Sequence, residues 1–145
     1  MRGAAHTIRT AAGDEEGSVL PLLLGYALLA LAVLFVCVCA TDLHIAQKRL
    51  DALADAAALA GADGFVLVAE EEGARAELTD AGVADRARAV VVAVDPDAGL
   101  LAADAPDGVS ARVTVGVTWQ PPLFSPFVPE GVPLRSTATS RTALR

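Results

Sequence analysis

The sequence predicts an α+β protein. One long N-terminal helix, transmembrane at first and then amphipathic, is followed by a small domain with a second helix and a two- to three-stranded antiparallel sheet. Three observations lead to this prediction. Residues 19–40 form an apolar run without a charged residue, residues 43–60 carry apolar side chains at helical spacing, and residues 109–119 alternate between apolar and polar side chains.

The same three patterns divide the chain into parts. The predicted parts are a disordered polar tail at 1–17, a transmembrane helix at 18–40, an amphipathic stalk helix continuous with it at 41–62, and a small extracytoplasmic α+β domain at 63–145.

The apolar run is long enough to cross a lipid bilayer. Its 22 residues from Val19 to Ala40 would extend roughly 33 Å as a helix, and the hydrocarbon core of a bilayer is about 30 Å thick. The predicted anchor residues are Val19, Leu20, Leu22, Leu23, Leu24, Leu28, Leu29, Leu31, Leu34 and Phe35. The leucines, valines and Phe35 together favour insertion by on the order of 4 to 8 kcal/mol. A buried core helix and a cleaved secretory signal, with its small-residue site at residues 38–40, are the alternatives.

Beyond the run, the pattern continues as a helix with one narrow apolar side. The predicted packing seam consists of residues spaced by three and four positions, namely Leu43, Ala46, Leu50, Leu53, Ala57 and Ala60. Gly61 and Gly64 supply signals for the end of the helix. The seam fits two interpretations, packing on a partner helix or packing on the domain that follows.

The remaining chain reads as a mixture of short elements. A second helix is predicted from about Glu70 to Ala89, with the acidic run Glu70-Glu71-Glu72 read as a helix start or a solvated face. Val90–Val94 is β-branched and is predicted to be a strand that ends in a turn at residues 95–97. Val109–Trp119 is predicted to be a strand with one buried face.

The C-terminal part contains a proline-rich segment. Its proline density predicts a long loop from Gln120 to Pro133, whose apolar side chains dock on a partner or fold back on the sheet. Leu134–Thr142 is predicted to be a final strand antiparallel to the preceding one.

Charge and residue content argue against several classes of function. The net charge is −7, and no basic face is present that would neutralise phosphates, so nucleic-acid binding is not expected. The two histidines, His6 and His44, have no cysteine or carboxylate at metal-ligand spacing. No nucleophile has a base nearby in sequence. We therefore expect neither an enzyme nor a bound metal or cofactor.

Residues 16–62 resemble the TadE/TadG-type proteins of tight-adherence (Tad) pilus assembly, especially the short actinobacterial ones. The resemblance rests on Glu16-Gly17-Ser18 at the entry, the single apolar span to Ala40, the exit Thr41-Asp42, and the segments 47–50 and 55–62. It covers about a third of the chain, and its most specific part is the last segment, Asp-Ala-Ala-Ala-Leu-Ala-Gly-Ala.

The resemblance implies a pseudopilin-like, structural component of a Flp-type pilus or a related secretion apparatus. It implies a single-pass protein of the cell membrane with a cytoplasmic N-terminus and an extracytoplasmic C-terminal domain, an orientation that the evenly balanced flanking charges leave open. Its partners would be the lipid bilayer and other membrane proteins of the machine through helix packing, with homo-oligomers as one form of assembly. A leader-cleavage site would fall between Gly17 and Ser18. Leu22 stands where most such leaders carry Glu, so we expect this bond to stay intact.

A second function from a different class also fits the sequence. In it, the protein is a membrane-tethered extracytoplasmic binding module that captures a ligand with the proline-rich loop at residues 121–133.

Overall fold

The computed structural model describes residues 19–70, 73–121 and 130–141. The predicted tail at 1–17, the bond between Gly17 and Ser18, and residues 122–129 of the predicted loop lie outside the described residues. The chain divides into two compact units, Met1–Val38 and Cys39–Arg145.

Two helices and five strands make up the described chain, and the predicted α+β class is confirmed. In chain order they are α1 (Val19–Ala62), β1 (Val66–Glu70), β2 (Gly73–Glu77), α2 (Asp80–Val94), β3 (Gly99–Asp104), β4 (Ser110–Trp119) and β5 (Val132–Arg141). Helix α1 has 44 residues, as the uninterrupted helical pattern predicted, and it ends just after Gly61.

The larger sheet is an antiparallel meander in the order β3-β4-β5. β4 is central, and the predicted alternation is seen in its burial, since Ala111, Val113 and Val115 are fully buried while Arg112 is exposed. β5 pairs antiparallel with β4 from Ser110 opposite Arg141 to Trp119 opposite Val132, which confirms the predicted final strand.

The core lies between the buried face of β4 and the two helices. Residues from α1, α2 and β4 belong to one apolar cluster. The helices approach closely where α1 has a glycine. A Cβ added to Gly61 would lie 2.9 Å from Cγ1 of Val83 in α2 and 3.4 Å from Cβ of Ala111 in β4.

The predicted boundaries of the second helix are wrong. It was expected from about Glu70 to Ala89, but Glu70 ends β1, residues 73–77 form β2, and α2 begins at Asp80. Thr79 is the N-cap, and its hydroxyl accepts a hydrogen bond from the backbone N–H of Gly82. This cap comes after the acidic run that suggested an earlier start.

The predicted strand at Val90–Val94 is also wrong, because these residues form the last turn of α2. Val83, Ala87 and Val91 are spaced by four and are almost completely buried, so the helix places one apolar face in the core. This tertiary burial outweighs the strand preference of β-branched residues. The turn predicted at residues 95–97 is present, with the backbone N–H of Asp97 donating to the carboxylate of Asp95.

Three strand features were not predicted. The first two are β3 and the β1–β2 hairpin, whose sequences show little alternation of apolar and polar side chains. The third is the start of β5, because Val132 and Pro133, which were assigned to the loop, are its first two residues. Pro133 is tolerated because β5 pairs only with β4 among the described strands.

Candidate membrane anchor and helix-packing surfaces

The apolar part of α1 is exposed. Helix α1 is long and apolar enough to cross a membrane, and none of its most apolar 18-residue stretch is buried. Nine of the ten predicted anchor residues are more than half exposed, from 54% for Val19 to 75% for Leu20, and the tenth, Phe35, is half-buried. Exposing this much apolar surface to water is unfavourable. The first part of α1 is therefore expected to be more stable in an apolar environment.

The predicted packing seam faces the core of the second unit. Leu50, Leu53 and Ala57 are 3%, 5% and 0% exposed and belong to the core cluster. The other three seam residues, Leu43, Ala46 and Ala60, are half-buried. The sequence left two interpretations of the seam open. For these three buried residues, the structure shows packing on the protein's own domain.

Polar contacts tie the same helix segment to the sheet. The indole Nε1 of Trp119, at the end of β4, donates to Oδ2 of Asp42 at 2.8 Å. In β5, the hydroxyl of Ser136 donates to Oδ1 of Asp51 at 2.8 Å. Gln47 donates to the same carboxylate oxygen at 3.0 Å and to the backbone carbonyl of Arg135 at 3.3 Å. The contacts lie along three turns of α1 and hold it beside β4 and β5.

These hydrogen bonds affect the titration of Asp51. The hydroxyl of Ser136, and then the amide of Gln47 and the charge of Lys48, keep the pKa of Asp51 below its usual value because they stabilise the carboxylate form. Asp51 also forms an exposed ion pair with Lys48 at 3.5 Å. Exposed pairs of this kind contribute little to stability, so the hydrogen bond to Ser136 matters more.

The side of α1 opposite the core carries a second apolar strip, here called the outer stripe. Its residues are Ile45, Ala52, Ala56 and Leu59. The spacings of seven, four and three positions place all four on one side of the helix. Ile45 is 44% exposed and Leu59 is 58% exposed.

A groove runs beside the outer stripe, between α1 and the end of α2. It has a volume of about 430 Å³ and is lined by Arg49, Ala52, Leu53, Ala56, Val94 and Asp95. Its walls are mostly apolar, and Val94 is 66% exposed. We call it the side groove. A neighbouring groove of about 250 Å³ shares Arg49 and Asp95 with it, and Trp119 is also part of its lining.

In the ranges 19–70, 73–121 and 130–141, no three His, Cys, Asp or Glu side chains are grouped so that they could hold a metal ion. His44 is exposed on α1. Asp107, another carboxylate with a lowered pKa, accepts hydrogen bonds from Ser110 and from the backbone of Val109 in the β3–β4 turn, which is a structural role.

Sequence reasoning missed the outer stripe and the Asp42–Trp119 contact. The stripe could have been found, because its positions follow a heptad spacing, but Lys48 and Arg49 interrupt the apolar pattern nearby. The contact joins residues 77 positions apart, and no local pattern signals such a pair.

Comparisons with protein-family models, with curated proteins and with solved structures gave no match to this chain.

Proposed function

We propose that this protein is a structural, single-pass membrane protein of a Flp/Tad-type pilus assembly or secretion apparatus. In this apparatus it is a pseudopilin-like minor component. The observation that carries the proposal is the contrast within α1. Its first part presents exposed apolar side chains, and its second part belongs to the core of an α+β domain. A helix of this kind anchors a folded domain to a bilayer.

The assignment to pilus assembly rests on the resemblance of residues 16–62 to TadE/TadG-type proteins. In this proposal the N-terminus is cytoplasmic and the α+β domain lies outside the cell membrane. In this role the domain catalyses no reaction. It offers surface to neighbouring proteins of the machine.

Fractionation tests the anchor. The full-length protein should stay with membranes after an alkaline carbonate wash. A protein with both Leu28→Arg and Leu31→Arg should be released, because each arginine costs about 2.5 to 3.5 kcal/mol at the centre of a bilayer. Thr139→Arg, on the exposed face of β5, is the control and should stay in the membrane. Release of the unchanged protein by the wash would refute the anchor.

Labelling tests the orientation. In a protein with Cys37→Ala and Cys39→Ala, the added change Thr139→Cys should react with a membrane-impermeant maleimide on intact cells. Protection until the cells are broken would place the domain in the cytoplasm and contradict the proposed topology.

Purification in mild detergent tests whether the protein associates with a Flp/Tad-type apparatus. The protein should bring down a secretion ATPase and polytopic membrane proteins of a Flp/Tad type. If it is anchored but instead binds a ligand, and only changes in the loop at residues 121–133 abolish that binding, the tethered-module function replaces this one.

A further inference from the structure

We propose that one end of the β4–β5 strand pair contacts the headgroup region of the bilayer in which α1 is anchored. This end consists of residues 119–121 and 130–132 and is called the Trp119 end. The inference deepens the proposed function and rests on its membrane anchor, because it adds a second contact between the same chain and the same lipid surface.

A hydrogen bond places the Trp119 end at the level where the apolar run stops. Nε1 of Trp119 donates to Oδ2 of Asp42 at 2.8 Å. Asp42 follows Ala40, the last residue of the run, by two positions, which is about 3 Å along a helix axis. Ala40 belongs to the same compact unit as the strand pair. The end of the run and the Trp119 end are therefore placed within one unit.

A second hydrogen bond gives the direction of the strand pair. Ser136, which lies opposite Val115 of β4, donates to Asp51. From Asp42 to Asp51 the helix advances roughly 13 Å, and from Trp119 to Val115 the strand advances by about the same distance. The strands therefore run along α1, away from the apolar run. The Trp119 end is the end of the pair that lies closest to the level of Ala40, where a bilayer surface would be.

The side chains of this end suit a membrane–water interface. Trp119 is half-buried, and its N–H group already has Asp42 as a partner, so the exposed part of the ring is apolar. Tryptophan is enriched at such interfaces because its ring is apolar and its N–H group is polar. Val132, which lies opposite Trp119, is 37% exposed. Contact with lipid would remove this apolar surface from water.

Charge does not account for the contact. Among the described residues, side chains of both signs lie near this end or on the adjoining turns of α1, namely Asp42, His44, Lys48, Arg49, Asp95, Asp97, Glu130 and Arg135. Of these, Lys48 and Arg49 follow Ala40 by about 12 Å or more along the helix axis. The sequence of residues 122–129, which join the two strands, contains no charged residue. The contact should therefore depend on aromatic and apolar side chains and not on anionic lipid.

Fluorescence quenching tests the contact without any substitution, because Trp119 is the only tryptophan of the chain. The purified full-length protein is reconstituted into phosphatidylcholine vesicles whose lipids carry bromine either near the headgroup or near the end of the acyl chain. Bromine near the headgroup should quench Trp119 on the order of twofold more strongly, because an interfacial indole lies at headgroup level. Replacing part of the phosphatidylcholine by phosphatidylglycerol should leave the quenching unchanged.

A matched pair of variants tests the direction of the strands. In a Trp119→Phe background, Val132→Trp should be quenched by the same lipid as Trp119. Thr139→Trp should respond to neither brominated lipid, because Thr139 is exposed seven residues further along β5, about 23 Å from Val132.

The outcomes separate this inference from the proposed function. If the protein is held in the vesicles but Trp119 is quenched only by acrylamide in the water, the inference is overturned and the anchor stands, and the Trp119 end is then free for a protein partner. Equal quenching of Thr139→Trp would mean that the domain lies flat on the lipid, which also overturns the inference. So would quenching that requires phosphatidylglycerol. A protein that is not retained in the vesicles overturns both the inference and the proposed function.

Discussion

The two sides of α1 between residues 43 and 62 are built from the same few residue types and have opposite surroundings. Leu53 and Leu59 are six positions apart, but Leu53 is 5% exposed in the core and Leu59 is 58% exposed. Ala57 is fully buried, whereas Ala56 next to it is exposed. The difference shows that an Ala/Leu-rich helix can have two apolar faces, of which the described domain covers only one.

The largest expected effect comes from shortening a leucine on the covered side. Leu53→Ala should lower the free energy of unfolding by about 2 to 5 kcal/mol, because it leaves a cavity in the core. Leu59→Ala is the matched change on the outer side and should alter it by less than about 0.5 kcal/mol in the monomer. Urea unfolding of the full-length protein in mild detergent, followed by the fluorescence of the only tryptophan, Trp119, measures both. Equal losses would show that the two sides do not differ in packing.

A smaller effect is expected where the helices are closest. Gly61→Ala should lower the free energy of unfolding by about 1 kcal/mol, because the clash of the new methyl group with Val83 exceeds the gain in helix propensity. The same unfolding measurement applies. Adding Val83→Ala makes room for the methyl group, so the double variant should lose less stability than the sum of the two single changes. Simple additivity would contradict the close approach at Gly61.

The smallest expected effect is a change of stability with pH that is caused by Asp51, a half-buried residue of α1. The pKa of Asp51 is lowered in the folded protein, chiefly by Ser136. Its stabilising contribution is therefore present above the ordinary pKa of an aspartate and is lost as the pH falls through the lower, folded-state pKa. The melting temperature should fall on acidification below about pH 4, and Asp51→Asn should reduce this fall. Asp107, whose pKa is also lowered, should account for part of what remains. An unchanged pH profile in Asp51→Asn would remove the role assigned to the Ser136 contact.

Much of the fold was predictable because several of its signals are local. The apolar run of α1 and the alternation along β4 repeat over ten or more residues, so single exceptions do not obscure them. The proline in β5 displaced the predicted strand start by only two residues. The β1–β2 hairpin and β3 are only five or six residues long, and strands of this length give weak periodicity.

The candidate surfaces were less predictable than the elements that carry them. The seam residues Leu50 and Leu53 were identified from spacing, but their spacing is equally suited to a partner helix and to the protein's own sheet. The hydrogen bonds from Trp119 and Ser136 to α1 depend on residues more than 75 positions apart in sequence being brought together.

The sequence by itself determined that residues 19–40 are apolar on every side and long enough to cross a bilayer, because length and composition are local properties that need no other part of the chain. Only the tertiary structure decided that Val90–Val94 completes a helix and that Leu53, rather than Leu59, is covered. The physical reason is that three consecutive valines fit a helix or a strand almost equally well, and an Ala/Leu-rich helix can pack on either side. In both cases the choice depends on burial in one core that α1, α2 and β4 share, so it is set by residues from separate parts of the chain.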